Sequence, residues 1–273
     1  MLRFSGAGVS DVGRVRPHNE DSAFHGPYVA LVADGVGGAA AGEIASATTA
    51  YVVSATALAR FLEDPAAVLR DAVASARTSL RSGVLADVDR AGMATTLTAV
   101  VCDGRRVVLG HLGDSRAYLY RDGELRQVSH DHTYVQHLLD TDQLSPDMAP
   151  RHPWRHVVMR SLDGGPETGM GEPDLVDLDV VEGDRLLLCS DGLTDMVGDE
   201  RIAEIMRLAD PHSAAAVLTQ SALVAGGRDN ITCLVLDVID GPVVVGDGRL
   251  LGAVRDVANV VDPGAVRLRH SSA

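Results

Sequence analysis

The order of elements predicted along the chain places it in the α+β class, and three observations carry that assignment. Helical periodicity is confined to two separate blocks. Between and around them lie runs rich in Val, Leu, Tyr and Thr, divided by Asp-Gly turns. Strands, two helices, many strands, two helices and a strand is a segregated order, unlike the regular alternation of a parallel sheet. With 273 residues, 46% of them hydrophobic and 23% charged, the chain has enough apolar surface for a core that needs no disulfide.

Each element has its own warrant. FSGAGVSDVG reads as a strand, RVRPHNEDS as irregular, and YVALVAD as a buried strand ending at Asp34. Glu43 to Leu62 is an Ala-rich helix. Asp64 followed by Pro65 supplies an N-cap acceptor and a proline at the first helical position, and apolar Val68, Leu69, Val73 and Leu80 continue that helix to Arg81. MATTLTAVVCDG, RRVVLGHLG and SRAYLYRDGEL are strands, with hairpin turns at Asp103-Gly104 and Asp122-Gly123. His132 to Asp140 is a short helix. The three prolines between Thr141 and Arg155 make a loop, and Gly164 to Asp174 is irregular. VVEGDRLLLCSDG reads as a strand pair, Glu200 to Ala209 and Ser213 to Val224 as helices, and ITCLVLDVI as the closing strand. No linker composition occurs before Asp240, so residues 1–240 form one domain and residues 241–273 an extension of packed strands or tail.

Charge narrows the function. The net charge is −14, and every one of the 24 bases is Arg, because the chain contains no Lys. Mechanisms that require an ammonium are excluded, including those of P-loop NTPases, protein kinases and Schiff-base enzymes. So acidic a chain lacks the basic face that a nucleic-acid partner needs. Cys102, Cys189 and Cys233 sit in apolar runs without close pairing, as reduced buried thiols of a cytoplasmic protein do. The uncharged run at the membrane scale, Ile44 to Ala59, is 16 residues and short of a membrane span. Arg3 and Asp11 bracket no signal-peptide core.

Two lookalikes fail. Gly35 to Ala40 fits GxGxxA, but Asp34 would face the pyrophosphate and no acid follows at the ribose position. Gly113-Asp114-Ser115 resembles an esterase block, yet no histidine has Asp three residues before it. Four acidic motifs remain at strand mouths: VADG around Asp34, GDSR around Asp114, CSDG around Asp191 and GRDN around Asp229. Singly, each is an ordinary turn. Convergent, their carboxylates would repel one another unless neutralised by hard divalent cations such as Mg²⁺ or Mn²⁺, which take oxygen ligands.

Read in order, RPHNEDS, VADGVGG, GMATTLTA, GDSRAYLYRDGEL, SHDHTYVQ, SDGLTD and GGRDNITCLVL resemble the bacterial type-2C, metal-dependent Ser/Thr protein phosphatases. The resemblance runs from about Gly8 to Val238, with all seven blocks in the family's order. It implies a four-layer αββα sandwich with two central antiparallel sheets. It also implies two Mn²⁺ or Mg²⁺ ions and a more weakly held third. Asp34 matches the bridging carboxylate, the Gly35 carbonyl a ligand of the second metal, Asp191 and Asp229 the other ligands of the first, and Asp114, with Asp191, the third site. Arg16 matches the phosphate-holding arginine, whose guanidinium fork suits a phosphate. Glu20 and Asp21 match acids that act through metal-bound water, and Asn230 stands beside Asp229 in the same outer shell.

The implied reaction is hydrolysis of phosphoserine or phosphothreonine by a metal-bridging water, without a phosphoenzyme. The implied partners are phosphorylated proteins and a cognate Ser/Thr kinase. Small phosphate esters are a competing substrate class. A pseudophosphatase binding a regulatory partner is the competing function, although no metal-matching aspartate is lost. The chain departs from many eukaryotic members at Val36, where they carry a histidine suited to act as general acid. Thr141 to Gly169 would include a flap over the site, in which His152 and His156 read as polar loop residues and Trp154 as a packing anchor.

Overall fold

The structure is a computed structural model that describes residues 1–36, 41–165, 171–246 and 248–264. The glycine-rich lookalike at 35–40, the end of the expected flap and the last residues of the tail therefore lie partly outside the described residues. The N-terminal part runs β1 (Leu2–Asp11), β2 (Asp21–His25), β3 (Val29–Val36), α1 (Gly42–Ala59) and α2 (Pro65–Ala86). A strand-rich centre follows: β4 (Ala94–Thr95), β5 (Leu97–Cys102), β6 (Val107–Leu112), β7 (Arg116–Arg121), β8 (Glu124–Gln127), α3 (Tyr134–Asp140), β9 (Leu162–Asp163) and β10 (Asp174–Leu178). The chain continues through β11 (Arg185–Cys189), α4 (Asp191–Thr194), α5 (Asp199–Met206), α6 (Pro211–Val224), β12 (Ile231–Asp240) and β13 (Arg249–Gly252).

Two sheets, antiparallel throughout, form the centre. One runs β1-β12-β11-β7-β8; the other runs β10-β6-β5-β3-β2-β13, with β4 joined to β3 and β9. Side chains alternate across each strand, and here both faces are apolar. Along β3, Val29 and Leu31 face α1 and α2, while Ala30 and Val32 face the opposite sheet. Along β12, Leu234, Leu236 and Val238 join that inter-sheet layer, while Cys233 and Val235 face α4 to α6. Three apolar layers thus separate four structural ones, the αββα order. Parallel sheets usually show such two-sided burial; here the outer helices impose it on antiparallel ones.

The helix starts follow the sequence. Asp64 accepts from the Ala67 N–H at 3.0 Å, and Pro65 opens α2. Asp210 caps α6 in the same way through Ser213, at 2.9 Å. Elsewhere the structure corrects the reading. VVEGD is a turn instead of a strand, because Asp184 accepts from the Val181 N–H at 2.7 Å and binds Arg121 with the same carboxylate. β12 is a central strand, not the last one, since β13 pairs with β2 and adds an edge to the larger sheet. Beyond β13, Val254 and Val260 are buried against α1. All three cysteines are free and buried. Among the described residues no helix is long and apolar enough to cross a membrane.

Candidate active site

Asp34 lies on β3, and its backbone is fixed from β4 and β5. Its N–H donates to Thr96 Oγ1 at 3.0 Å, and its carbonyl accepts from the Thr96 N–H at 2.8 Å and Thr95 Oγ1 at 2.9 Å. Those threonines, which the sequence showed only as a motif, hold the carboxylate in place. Asp114 follows Gly113 in the β6–β7 turn, where a φ of 105° suits glycine. Asp191 begins α4 directly after β11, and Asp229 lies between α6 and β12, at the start of a strand instead of the end of one.

Asn230 organises the loop between β1 and β2. Its Nδ2 donates to the carbonyls of Val12 (3.0 Å) and His18 (2.9 Å), and its Oδ1 accepts from the Glu20 N–H (2.8 Å). Held in this way, the loop sends Arg16 across to Asp229, with Nη2 2.7 Å from Oδ2. The guanidinium expected to meet a phosphate thus neutralises an expected metal ligand.

These residues converge on one cavity of about 460 Å³. Every residue expected to bind metal lines it, as do Arg16, Glu20 and Asn230. Asp21 does not. It is the cross-strand partner of Asp34, fully buried behind it, where Ser190 Oγ donates to one carboxylate oxygen at 2.7 Å and the other oxygen has no partner among the described residues. Burial, followed by the facing carboxylates of Asp21, Asp191, Asp114 and Asp229, holds Asp34 well above the usual carboxylate range. Asp191 is displaced upward for the same reasons, with Asp114 its strongest neighbour. Burial raises Asp114 to about 7 and Asp21 to about 6.

Such mutual repulsion in a desolvated pocket disfavours full ionisation unless cations enter. The donors fit hard cations: carboxylates, and a Gly35 carbonyl at a point where a Cβ would collide with the backbone of Gly42. The structure adds residues that the sequence reading missed. His156, Asp191 and Asp195 bring ligand atoms within 4.8 Å of one another. Asp195 stands four residues after Asp191 in SDGLTD, a visible signal that went unused. His156 is more than a polar loop residue, since it lines the cavity with Nδ1 3.4 Å from Asp195. Trp154 is 57% exposed, edge-on to Tyr134, and anchors no core.

Comparison with known proteins agrees with this geometry. A family model described as protein phosphatase 2C matches residues 17–229. The serine/threonine protein phosphatase PstP of Mycobacterium tuberculosis is 43% identical over 243 residues, 88% of this chain and 46% of that protein. This chain therefore spans about half the length of that relative. The serine/threonine phosphatase stp of Listeria monocytogenes is 36% identical over 241 residues, 84% of this chain and 93% of that protein. Among solved structures, the M. tuberculosis PstP/Ppp crystal structure superposes with a TM-score of 0.81 at 41% identity, covering 87% of this chain and all (100%) of that one. The PstP catalytic domain in complex with two manganese ions gives a TM-score of 0.78 at 42% identity, with 88% and 100% covered.

Proposed function

The chain belongs to the protein phosphatase 2C family, and from that premise we propose that it hydrolyses phosphoserine and phosphothreonine in phosphorylated proteins, with Mn²⁺ or Mg²⁺ as cofactor. The observation that carries this is the convergence of Asp34, Asp114, Asp191, Asp229 and Arg16 on one cavity. Asp34, the Gly35 carbonyl, Asp191 and Asp229 would hold two cations, and Asp114 with Asp191 a weaker third. When bound, the cations supply Lewis-acid activation of a bridging water and neutralise the carboxylates.

The chain's own residues do the rest. Arg16, released from Asp229 as cations take that carboxylate, turns its fork to the equatorial phosphate oxygens and stabilises charge developing there. The Asn230 clamp keeps the Arg16 loop within reach. Thr95 and Thr96 keep the Asp34 backbone from yielding. Attack by water is direct, so no phosphoenzyme forms; neither Ser190 nor Ser115, both fully buried, is offered to a substrate. Val36 leaves no imidazole beside Gly35, and His156 is the one imidazole lining the cavity among the described residues. The leaving group's proton comes from His156 or from solvent.

The test is hydrolysis of p-nitrophenyl phosphate and of a phosphothreonine peptide with Mn²⁺, with Mg²⁺ and with EDTA, beside Asp34→Ala. Turnover that needs metal and disappears in the variant is expected. A folded protein with no turnover on either substrate and no Mn²⁺ binding would sink the enzyme reading and favour the partner-binding one.

A further inference from the structure

One motif, SHDHTYVQ, has found no use in the site itself. Its second histidine, His132, is buried between the turn that carries Asp114 and the segment that carries Arg155 and His156 to the cavity. Toward the turn it makes a closed pair of bonds: the His132 N–H donates to the Gly113 carbonyl at 2.7 Å, and the Gly113 N–H donates to His132 Nδ1 at 3.1 Å. Toward the flap, the His132 carbonyl accepts from the Met159 N–H at 2.7 Å, next to a bridge between Thr133 and Val158.

The ring completes the link. Because Nδ1 accepts from Gly113, the ring proton resides on Nε2, which donates to Asp174 at 3.0 Å. Arg160, on the flap, donates to the other oxygen of that carboxylate at 2.9 Å. Its Nη1 also lies 2.9 Å from Nε2, a donor–donor approach that the shared Asp174 offsets. One ring nitrogen therefore bonds the turn, and the other bonds Asp174 at the start of β10, which in turn holds the flap through Arg160.

We propose that His132 is a positioning residue that couples the flap to the Asp114 turn, so that the seating of Asp114 for its cation depends on the flap being in place. The inference rests on the proposed phosphatase reading, which gives Asp114, with Asp191, to the weaker third cation. Its physical basis is that Gly113, at φ 105°, has no side chain to restrain it and takes its orientation from what bonds its N–H and carbonyl. Groups that orient a ligand from outside typically change metal affinity about 10–100-fold when removed.

Two variants of similar size divide the roles. In His132→Asn the side-chain oxygen falls near the Nδ1 position and can still accept from Gly113, but cannot reach Asp174. In His132→Gln the amide reaches toward Asp174 and loses Gly113. Mn²⁺ binding is measured by calorimetry, and the exchange of the Gly113 and Met159 amides is followed in the metal-free protein. The expected result for Gln is about a 10-fold weakening of the weakest Mn²⁺ site, together with faster Gly113 exchange. A higher Mn²⁺ concentration for half-maximal rate should accompany it, with little change in kcat at saturation. For Asn, Gly113 protection returns toward wild type, but Met159 is deprotected and the weakest Mn²⁺ site stays weakened, because the flap no longer steadies the turn. Wild-type Mn²⁺ binding in Asn, or unchanged exchange and binding in both variants, overturns the proposal. Because exchange and binding are read without turnover, an inactive wild type would sink the phosphatase reading while leaving these measurements to decide the coupling.

Discussion

At the residue scale, the site is a set of charges held against their own preference. The carboxyl groups of Asp21 and Asp114 titrate at about 6 and about 7 in the folded chain, whereas the unfolded chain has them near 3.8. Between those values the folded state holds protons that the unfolded state has lost. Stability from these groups is therefore fully present below pH 4 and lost as pH rises through 6 and 7. The melting temperature in EDTA should fall from pH 5 to pH 8, and the rise on adding Mn²⁺ should be larger at pH 8. A pH-independent melting temperature in EDTA would refute this. Arg16→Ala should lower kcat/KM for a phosphopeptide about 10- to 100-fold, the worth of a hydrogen bond to a charged group. Equal activity of the variant would remove Arg16 from the phosphate. The four aspartates were legible as motifs, and Arg16 through the family resemblance. Asp195 was visible in SDGLTD, but it gains meaning only beside His156, which was not legible because only the fold shows that a proline-rich loop lies over α4. The Asn230 clamp was hidden for a similar reason: its partners lie at Val12, His18 and Glu20, more than 200 residues earlier in the chain.

At the element scale, short-range chemistry was readable and long-range choice was not. The cap at Asp64 and the proline after it mark the start of α2 without knowledge of any neighbour. Asp64→Ala should cost about 1 kcal/mol, a fall of roughly 2–4 °C in a domain of this size, measurable by thermal unfolding at constant metal. No change would mean that neither the cap nor the Arg106 contact to Asp64 adds measurable stability. In contrast, VVEGD has strand composition, and only the commitment of Asp184 to Arg121 bends it into a turn. α4 is a single turn begun by a catalytic candidate, too short for any periodicity to reveal. Gly83, an apparently weak residue inside α2, is explained by what crosses it: a Cβ there would lie 2.7 Å from Val261.

At the scale of the whole molecule, the segment after β12 closes one side of the sandwich. β13 extends the β2 edge, the Val261 N–H donates to Thr48 on α1 at 3.0 Å, and the Tyr51 hydroxyl donates to the Pro263 carbonyl at 3.1 Å. Truncation after Asp240 would remove buried Val254 and Val260, each worth about 1.5–3 kcal/mol. The melting temperature should drop by about 10 °C, while the acidic cavity, none of whose described lining comes from that segment, persists. A truncated protein as stable as the full chain would show that the segment only decorates the edge. The layered order came from the family resemblance, with which the segregated order of strands and helices agrees; the two-sided burial of β3, β5 and β12 is the reason each sheet is covered on both sides.

The pairing of β1 with β12 joins Leu2 to Asp240, across nearly the whole length of the two-sheet core. A contact of that sequence separation forms only after the loop-closure entropy of almost everything between has been met. The β2–β3 and β5–β6 hairpins of the larger sheet can form early, as can β7–β8 of the smaller one, whereas the smaller sheet is completed only when β12 enters between β1 and β11. The loop bearing Arg16 leaves β1, and Asp229 immediately precedes β12, so the two meet only when that zipper closes. Refolding from denaturant should then recover catalysis in the slowest kinetic phase, after most of the secondary structure has already returned.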